Sequence, residues 1–111
     1  MRMKDRVALV TGVGGPMGAA VATRLGEEGA KLIVTDISGR RLEERAKTLP
    51  GNPVVLRADN RLEEENARVV EAGLARFGRI DVLVNVVGGI RDSELYRPLL
   101  EMTETRWNET F

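Results

Sequence analysis

The sequence predicts an α/β chain built on an open parallel sheet with helices on both faces, in the strand order 3-2-1-4. Short apolar runs of β-forming residues alternate with longer stretches of helical periodicity, giving four strand patterns and three complete helical ones. Right-handed crossovers between parallel strands then set the order. Each strand run also ends in glycine, aspartate or asparagine, so polar groups gather at the carboxyl edge, where such sheets bind ligands.

The first strand, Val7 to Val10, is an unbroken apolar run, as expected for a strand covered on both faces. Thr11-Gly12-Val13-Gly14-Gly15-Pro16-Met17-Gly18 follows as a turn into a helix. Gly12, Gly14 and Gly15 allow positive φ and bring backbone N–H groups close to a ligand. The following helix aims its N-terminal partial positive charge at the same spot, so the stretch reads as a phosphate cradle that needs no lysine. It lacks the Gly-Lys-Ser/Thr of a P-loop, and Met17 stands where the G-x-G-x-x-G pattern requires glycine. Pro16 fits the first helical position, at the loss of one N–H donor.

That helix is expected over about Pro16 to Glu28, with Met17, Ala20, Val21 and Leu25 on one face and Gly29 closing it. Lys31 to Thr35 forms the second strand, stopping at Asp36 and Ile37. In dinucleotide-binding folds an acidic residue at this point, about twenty residues after the glycine turn, accepts hydrogen bonds from the adenosine ribose. Its charge repels a 2′-phosphate, which favours NAD over NADP; Arg40 and Arg41 just downstream read first as the solvated start of a helix and only secondarily as cations that would soften that preference. A turn or helix-capping role is the other reading of Asp36. Leu42, Ala46 and Leu49 mark one face of a second helix, ended by Pro50-Gly51-Asn52-Pro53.

Val54 to Ala58 forms the third strand, followed by Asp59 and Asn60. Asn60 with Glu63 matches a capping box for a third helix over about Arg61 to Phe77, whose buried face is expected at Val70, Gly73, Leu74 and Phe77. Ile80 to Val86 is the fourth strand pattern and ends in Asn85-Val86-Val87-Gly88. Beyond an irregular stretch containing Pro98, Thr103 reads as the cap of another helix.

Composition narrows the function. The 111 residues form one domain, 1–111, with 17 basic and 17 acidic side chains, so no charge excess points to nucleic acid or an anionic membrane. With no cysteine and no histidine, the usual structural zinc sites and a Ser-His-Asp triad are excluded, and no metal ligand set is expected. No long apolar segment or leader pattern is found, which predicts a soluble cytoplasmic protein.

Taken together, Thr11-Gly12-x-x-x-Pro16-Met17-Gly18, Asp36, Asp59 and Asn85 to Gly88 resemble the N-terminal, cofactor-binding half of the short-chain dehydrogenase/reductase family over essentially the whole chain. Proline replaces the middle glycine of the family's T-G-x-x-x-G-x-G, and Val86 and Val87 depart from its N-N-A-G. The resemblance implies a Rossmann-type fold with NAD as cofactor, Asp59 beside the adenine amino group, Asn85 bonded across to neighbouring strands, and backbone near Val87 and Gly88 close to the ribose; an aspartate at the entry to the third helix is the other reading of Asp59. It also implies hydride transfer between nicotinamide and an alcohol or ketone. The family's catalytic tyrosine with a lysine four residues later has no match: Leu100 follows Tyr96 at that spacing, no lysine follows Lys47, and Ser93 has no such pair to serve. The chain is therefore expected to be the cofactor-binding part of a longer oxidoreductase and inactive by itself. Two alternatives are a stand-alone nucleotide-binding module that self-associates through an exposed apolar sheet edge, and a structural domain that binds no dinucleotide.

Overall fold

The apolar run Val7–Val10 becomes the centre of the sheet, and all four of its residues are buried. The computed structural model of the chain describes residues 2–86. In chain order the elements are β1 (Val7–Val10), α1 (Pro16–Glu27), β2 (Lys31–Asp36), α2 (Gly39–Ala46), β3 (Val54–Arg57), α3 (Glu63–Phe77) and β4 (Val82–Val84). All strand pairs are parallel in the order β3-β2-β1-β4, as predicted, with Leu9 opposite Ile33 on one side and Leu83 on the other. The helix start expected at Thr103, together with Val87 and Gly88, lies outside the described residues.

Alternation along the strands divides the core in two. Ala8, Val10, Leu32 and Val34 face α1 and α2 and meet Val13, Ala22, Leu42 and Leu49. Val7, Leu9 and Ile33 point the other way, towards Val69 of α3 and Ala58. Leu32, Ile33 and Val34 are fully enclosed, and burying each contributes roughly 1.5–3 kcal/mol. Thr35 is equally buried, and among the described residues its hydroxyl finds no hydrogen-bond partner.

The helix faces differ from those expected. In α1 the buried residues are Gly18 and Ala22, with Val21 and Leu25 partly covered, whereas Met17 and Ala20 point outward. A Cβ on Gly18 would overlap the Gly12 carbonyl oxygen, so the helix is drawn in by its smallest residues and its larger apolar ones are turned aside. The same happens in α3: Val69 and Gly73 are buried, with Gly73 pressed against the Ile33 side chain, and Val70 and Leu74 lie on the exposed flank. The second helix ends at Ala46, and Leu49 reaches the core from a turn in which Thr48 N–H donates to the Arg45 carbonyl.

The start of α3 is also displaced. Its N-cap is Leu62, with no side-chain bond, in place of the Asn60–Glu63 box. Asp59 opens a turn instead: its carbonyl accepts from Leu62 N–H and its Oδ1 from Arg61 N–H, which moves the first helical residue to Glu63. Glu65 reaches back to the Asp59 N–H at 3.1 Å.

At the opposite edge of the sheet Asp81 ties β4 to β1. Its Oδ2 accepts from Val7 N–H at 2.9 Å and its Oδ1 from Arg79, with Arg6 nearby. The Arg79 hydrogen bonds, then the Val7 N–H, hold the Asp81 carboxyl below its ordinary 3.8 against a smaller opposing effect of burial.

Two predictions follow from these contacts. Gly18→Ala lowers the unfolding free energy by about 1–3 kcal/mol despite the better helix propensity of alanine, because the atoms it meets are backbone; urea unfolding measures this. Asp81→Asn is less stable than the wild type at pH 7. That stability is complete above the ordinary carboxyl value and lost as pH falls through the depressed native one, so the gap between the two proteins closes in acid below pH 3.8.

Candidate functional site

The segment from Thr11 to Gly15 crosses the carboxyl edge of the sheet and is fastened on both sides. Thr11 N–H donates to the Val84 carbonyl at 3.0 Å, and its hydroxyl donates to Asn85 Oδ1 at 2.9 Å while accepting from Val86 N–H at 3.0 Å. The cross-strand bond expected of Asn85 is therefore present, and its partner is Thr11. Gly12 sits at φ +68° with its α-carbon against the Val86 carbonyl, a position closed to any side chain. Val13 enters the core, and its N–H donates to the Thr35 carbonyl at 3.1 Å.

Gly14 then brings the turn onto Asp36. Its N–H donates to Asp36 Oδ2 at 2.8 Å, and a Cβ at this position would lie 2.7 Å from the carboxylate carbon. Asp36 Oδ1 accepts from Ser38 N–H at 2.9 Å, so the capping reading and the site reading of this residue describe the same half-buried carboxylate. The Gly15 N–H turns inward to the Gly12 carbonyl at 3.3 Å. The glycine N–H groups read from the sequence as ligand donors thus have acceptors within the protein at Gly14 and Gly15.

Gly15 is the N-cap of α1 and Pro16 its first residue, with no side chain capping the helix. The uncapped first turn, with Met17 and Gly18, carries the partial positive charge of the helix. Met17 is 68% exposed beside it. Ile37 follows Asp36, and its carbonyl accepts from Arg57 Nε at 3.0 Å.

Asp59 stands one strand further out, 9% exposed. Ala58 N–H donates to the Asp36 carbonyl at 3.1 Å, which sets the ends of β2 and β3 side by side. The Asn60 carbonyl accepts from Asn66 Nδ2 at 2.9 Å, towards α3.

Reading by sequence missed the closeness of α2 to the glycine turn. A groove of about 420 Å³ runs between Gly14, Gly15 and Pro16 on one side and Arg40, Arg41 and Arg45 on the other, with Arg40 paired to Glu44 at 3.7 Å. The signal was the i,i+4 spacing of Arg41 and Arg45, which puts both on one side of a helix. Among the described residues no cluster of carboxylates is arranged to hold a metal ion, and no helix is long and apolar enough to cross a membrane.

Residues 6–111 match the family model described as short chain dehydrogenase. The chain is 38% identical over 113 residues to the 3-oxoacyl-[acyl-carrier-protein] reductase FabG of Thermotoga maritima, an alignment covering 97% of this chain and 44% of the relative. It is 35% identical to the peroxisomal multifunctional enzyme type 2 of Drosophila melanogaster, over 97% of this chain and 19% of that enzyme. The crystal structure of a short chain dehydrogenase from Mycobacterium smegmatis superposes with a TM-score of 0.84 at 29% identity, covering 98% of this chain and 46% of that one. The chain thus spans less than half the length of each.

Thr11→Val removes the hydroxyl that joins β1 to the end of β4 and leaves Asn85 Oδ1 and Val86 N–H without it. The expected cost is about 1–3 kcal/mol in urea unfolding, with Thr11→Ser close to wild type.

Proposed function

The chain belongs to the short-chain dehydrogenase family, whose members bind a nicotinamide dinucleotide and small-molecule substrates, and on that premise we propose that residues 1–111 form the dinucleotide-binding part of an oxidoreductase with NAD as its cofactor. The observation that carries this reading is the Gly14–Asp36 contact, which holds a carboxylate beside the uncapped start of α1. An anion acceptor and a hydroxyl acceptor are then neighbours, as a pyrophosphate joined to a ribose requires. The snug approach of Gly14 to Asp36 fits such a ligand, since a side chain there would fill the cradle.

In this reading the first turn of α1, at Pro16, Met17 and Gly18, faces the pyrophosphate, with Thr11, Gly12 and Gly15 shaping the turn. Asp36 accepts from the ribose hydroxyls beside Ile37, Asp59 lies next to the adenine amino group with Asn60 behind it, and Asn85 braces the end of β4 against Thr11; the family resemblance adds Val87 and Gly88, outside the described residues, as cofactor-binding positions. A bound nicotinamide ring supplies the hydride acceptor or donor for an alcohol or ketone. The residues of this chain bind and orient; the sequence has no tyrosine with a lysine four residues on, so the chain binds the cofactor without turning substrate over.

Asp36 favours NAD over NADP because its fixed negative charge meets a 2′-phosphate. The arginines of α2 act against this, but the Arg40 side chain is 78% exposed and engaged with Glu44, where solvent and salt screen it. A second reading, self-association through β4, draws on Leu83, which is 61% exposed beside Leu9 of β1.

Calorimetric titration of the chain with NAD and NADP tests the first reading. NAD binds more tightly, and Asp36→Asn weakens NAD by about 10–100-fold while narrowing its advantage over NADP. NAD affinity indifferent to Asp36 would sink the assignment.

A further inference from the structure

Asp59 is held more firmly than a residue in a strand-end turn needs to be. Its N–H donates to Glu65 Oε1 at 3.1 Å. Its Oδ1 accepts from the backbone N–H and the Nε of Arg61, both at 3.0 Å, and its Oδ2 from Arg61 Nη2 at 2.9 Å. Glu65 in turn lies 3.3 Å from Arg57 and 3.7 Å from Arg68. Arg57 also donates to the Ile37 carbonyl, so the frame around Asp59 reaches the corner that follows Asp36.

A two-point fork between guanidinium and carboxylate fixes the plane of the carboxylate as well as its place. An aspartate held at one point would rotate about its terminal torsion, which is broad. Arg61 does not cap α3, since the helix begins two residues later. Its Nε and Nη2 both donate to Asp59, and it makes this contact from a position 47% exposed, where an ion pair contributes little to stability.

We propose, on the reading above that the adenine lies beside Asp59, that Arg61 is a positioning residue which makes the site select a 6-aminopurine over a 6-oxopurine. An ionised carboxylate only accepts hydrogen bonds. Facing the base edge, it takes one from an exocyclic amino group and repels a carbonyl oxygen at the same place. The discrimination depends on the orientation of the carboxylate, and Arg61, with Glu65 holding the backbone behind it, supplies that orientation. The fork also commits the Nε and Nη2 donors of Arg61 to Asp59.

The test is to titrate the chain, Arg61→Ala and Arg61→Lys with NAD and with nicotinamide hypoxanthine dinucleotide. The unaltered chain favours NAD by about tenfold or more, and the ratio falls to within about threefold in both variants, chiefly through weaker NAD binding. Lysine keeps the charge but cannot form the fork, so it does not restore the ratio. General loosening of the turn would weaken both dinucleotides alike and leave the ratio unmoved, which overturns the proposal. Should Arg61→Ala fail to fold by circular dichroism, Arg61→Lys carries the same comparison. If the unaltered chain binds neither dinucleotide, the cofactor reading fails and the proposal with it; if it binds NAD and the ratio ignores Arg61, the proposal fails alone.

Discussion

The structure depends on how closely the backbone from Thr11 to Gly15 can pass between its neighbours. On one side the Val86 carbonyl leaves no room for a side chain at Gly12, and on another Gly18 of α1 lies against the Gly12 carbonyl. The hydrogen bonds that hold this segment, from Thr11 to Val84 and Asn85 and from Val13 to Thr35, each contribute on the order of 1 kcal/mol net. Steric fit is therefore the stronger constraint, because a Cβ at Gly12 or Gly18 would require the backbone itself to move. Once the turn is fixed at that distance, α1 has one rotation open to it, and that rotation buries Gly18 and Ala22.

This explains which parts of the structure were legible in the sequence. The strands were, because an apolar run such as Val7 to Val10 between turn residues has few other uses. Their order follows from the βα alternation and the handedness of crossovers. Helix existence was legible from periodicity, but helix rotation was not. A reading weighted towards large apolar residues chose Met17 and Ala20 in α1 and Val70 and Leu74 in α3, whereas the helices approach the sheet where Gly18, Ala22 and Gly73 let them come nearest. The start of α3 was hidden for a different reason: Asp59 closes a turn on the Arg61 and Leu62 N–H groups, which carries the chain past the expected Asn60 cap before the helix begins.

At the site, the contact between Gly14 and Asp36 and the bonding of Asn85 to Thr11 rest on residues that stand out in the sequence, and the topology brings them together. The groove beside α2 did not stand out, since arginines on an exposed helix face are ordinary. Its position next to the glycine turn puts positive charge beside the cradle where, on the proposed reading, Asp36 would select against a 2′-phosphate. The proposed preference for NAD rests on rigidity more than on counting charges. Asp36 is held at both oxygens, by Gly14 N–H of the turn and by Ser38 N–H at the start of α2, while Arg40 extends into solvent.

Pro16 sharpens the question of what grips a pyrophosphate. The N–H groups of Thr11, Val13, Gly14 and Gly15 are all directed to acceptors within the protein, so the glycine turn sets the shape of the cradle and contributes little of its donor capacity. Proline at the first position of α1 removes a further N–H while presetting the helical φ. On the proposed dinucleotide reading, the grip would then fall to the next N–H groups of the uncapped helix and to its dipole, which acts over about one turn. A cradle with so few donors gains more from nearby cations than a richly donating one would. On the proposed dinucleotide reading, Arg41 and Arg45, which line the groove beside the turn, would add positive charge next to the diphosphate, separately from any recognition of a 2′-phosphate.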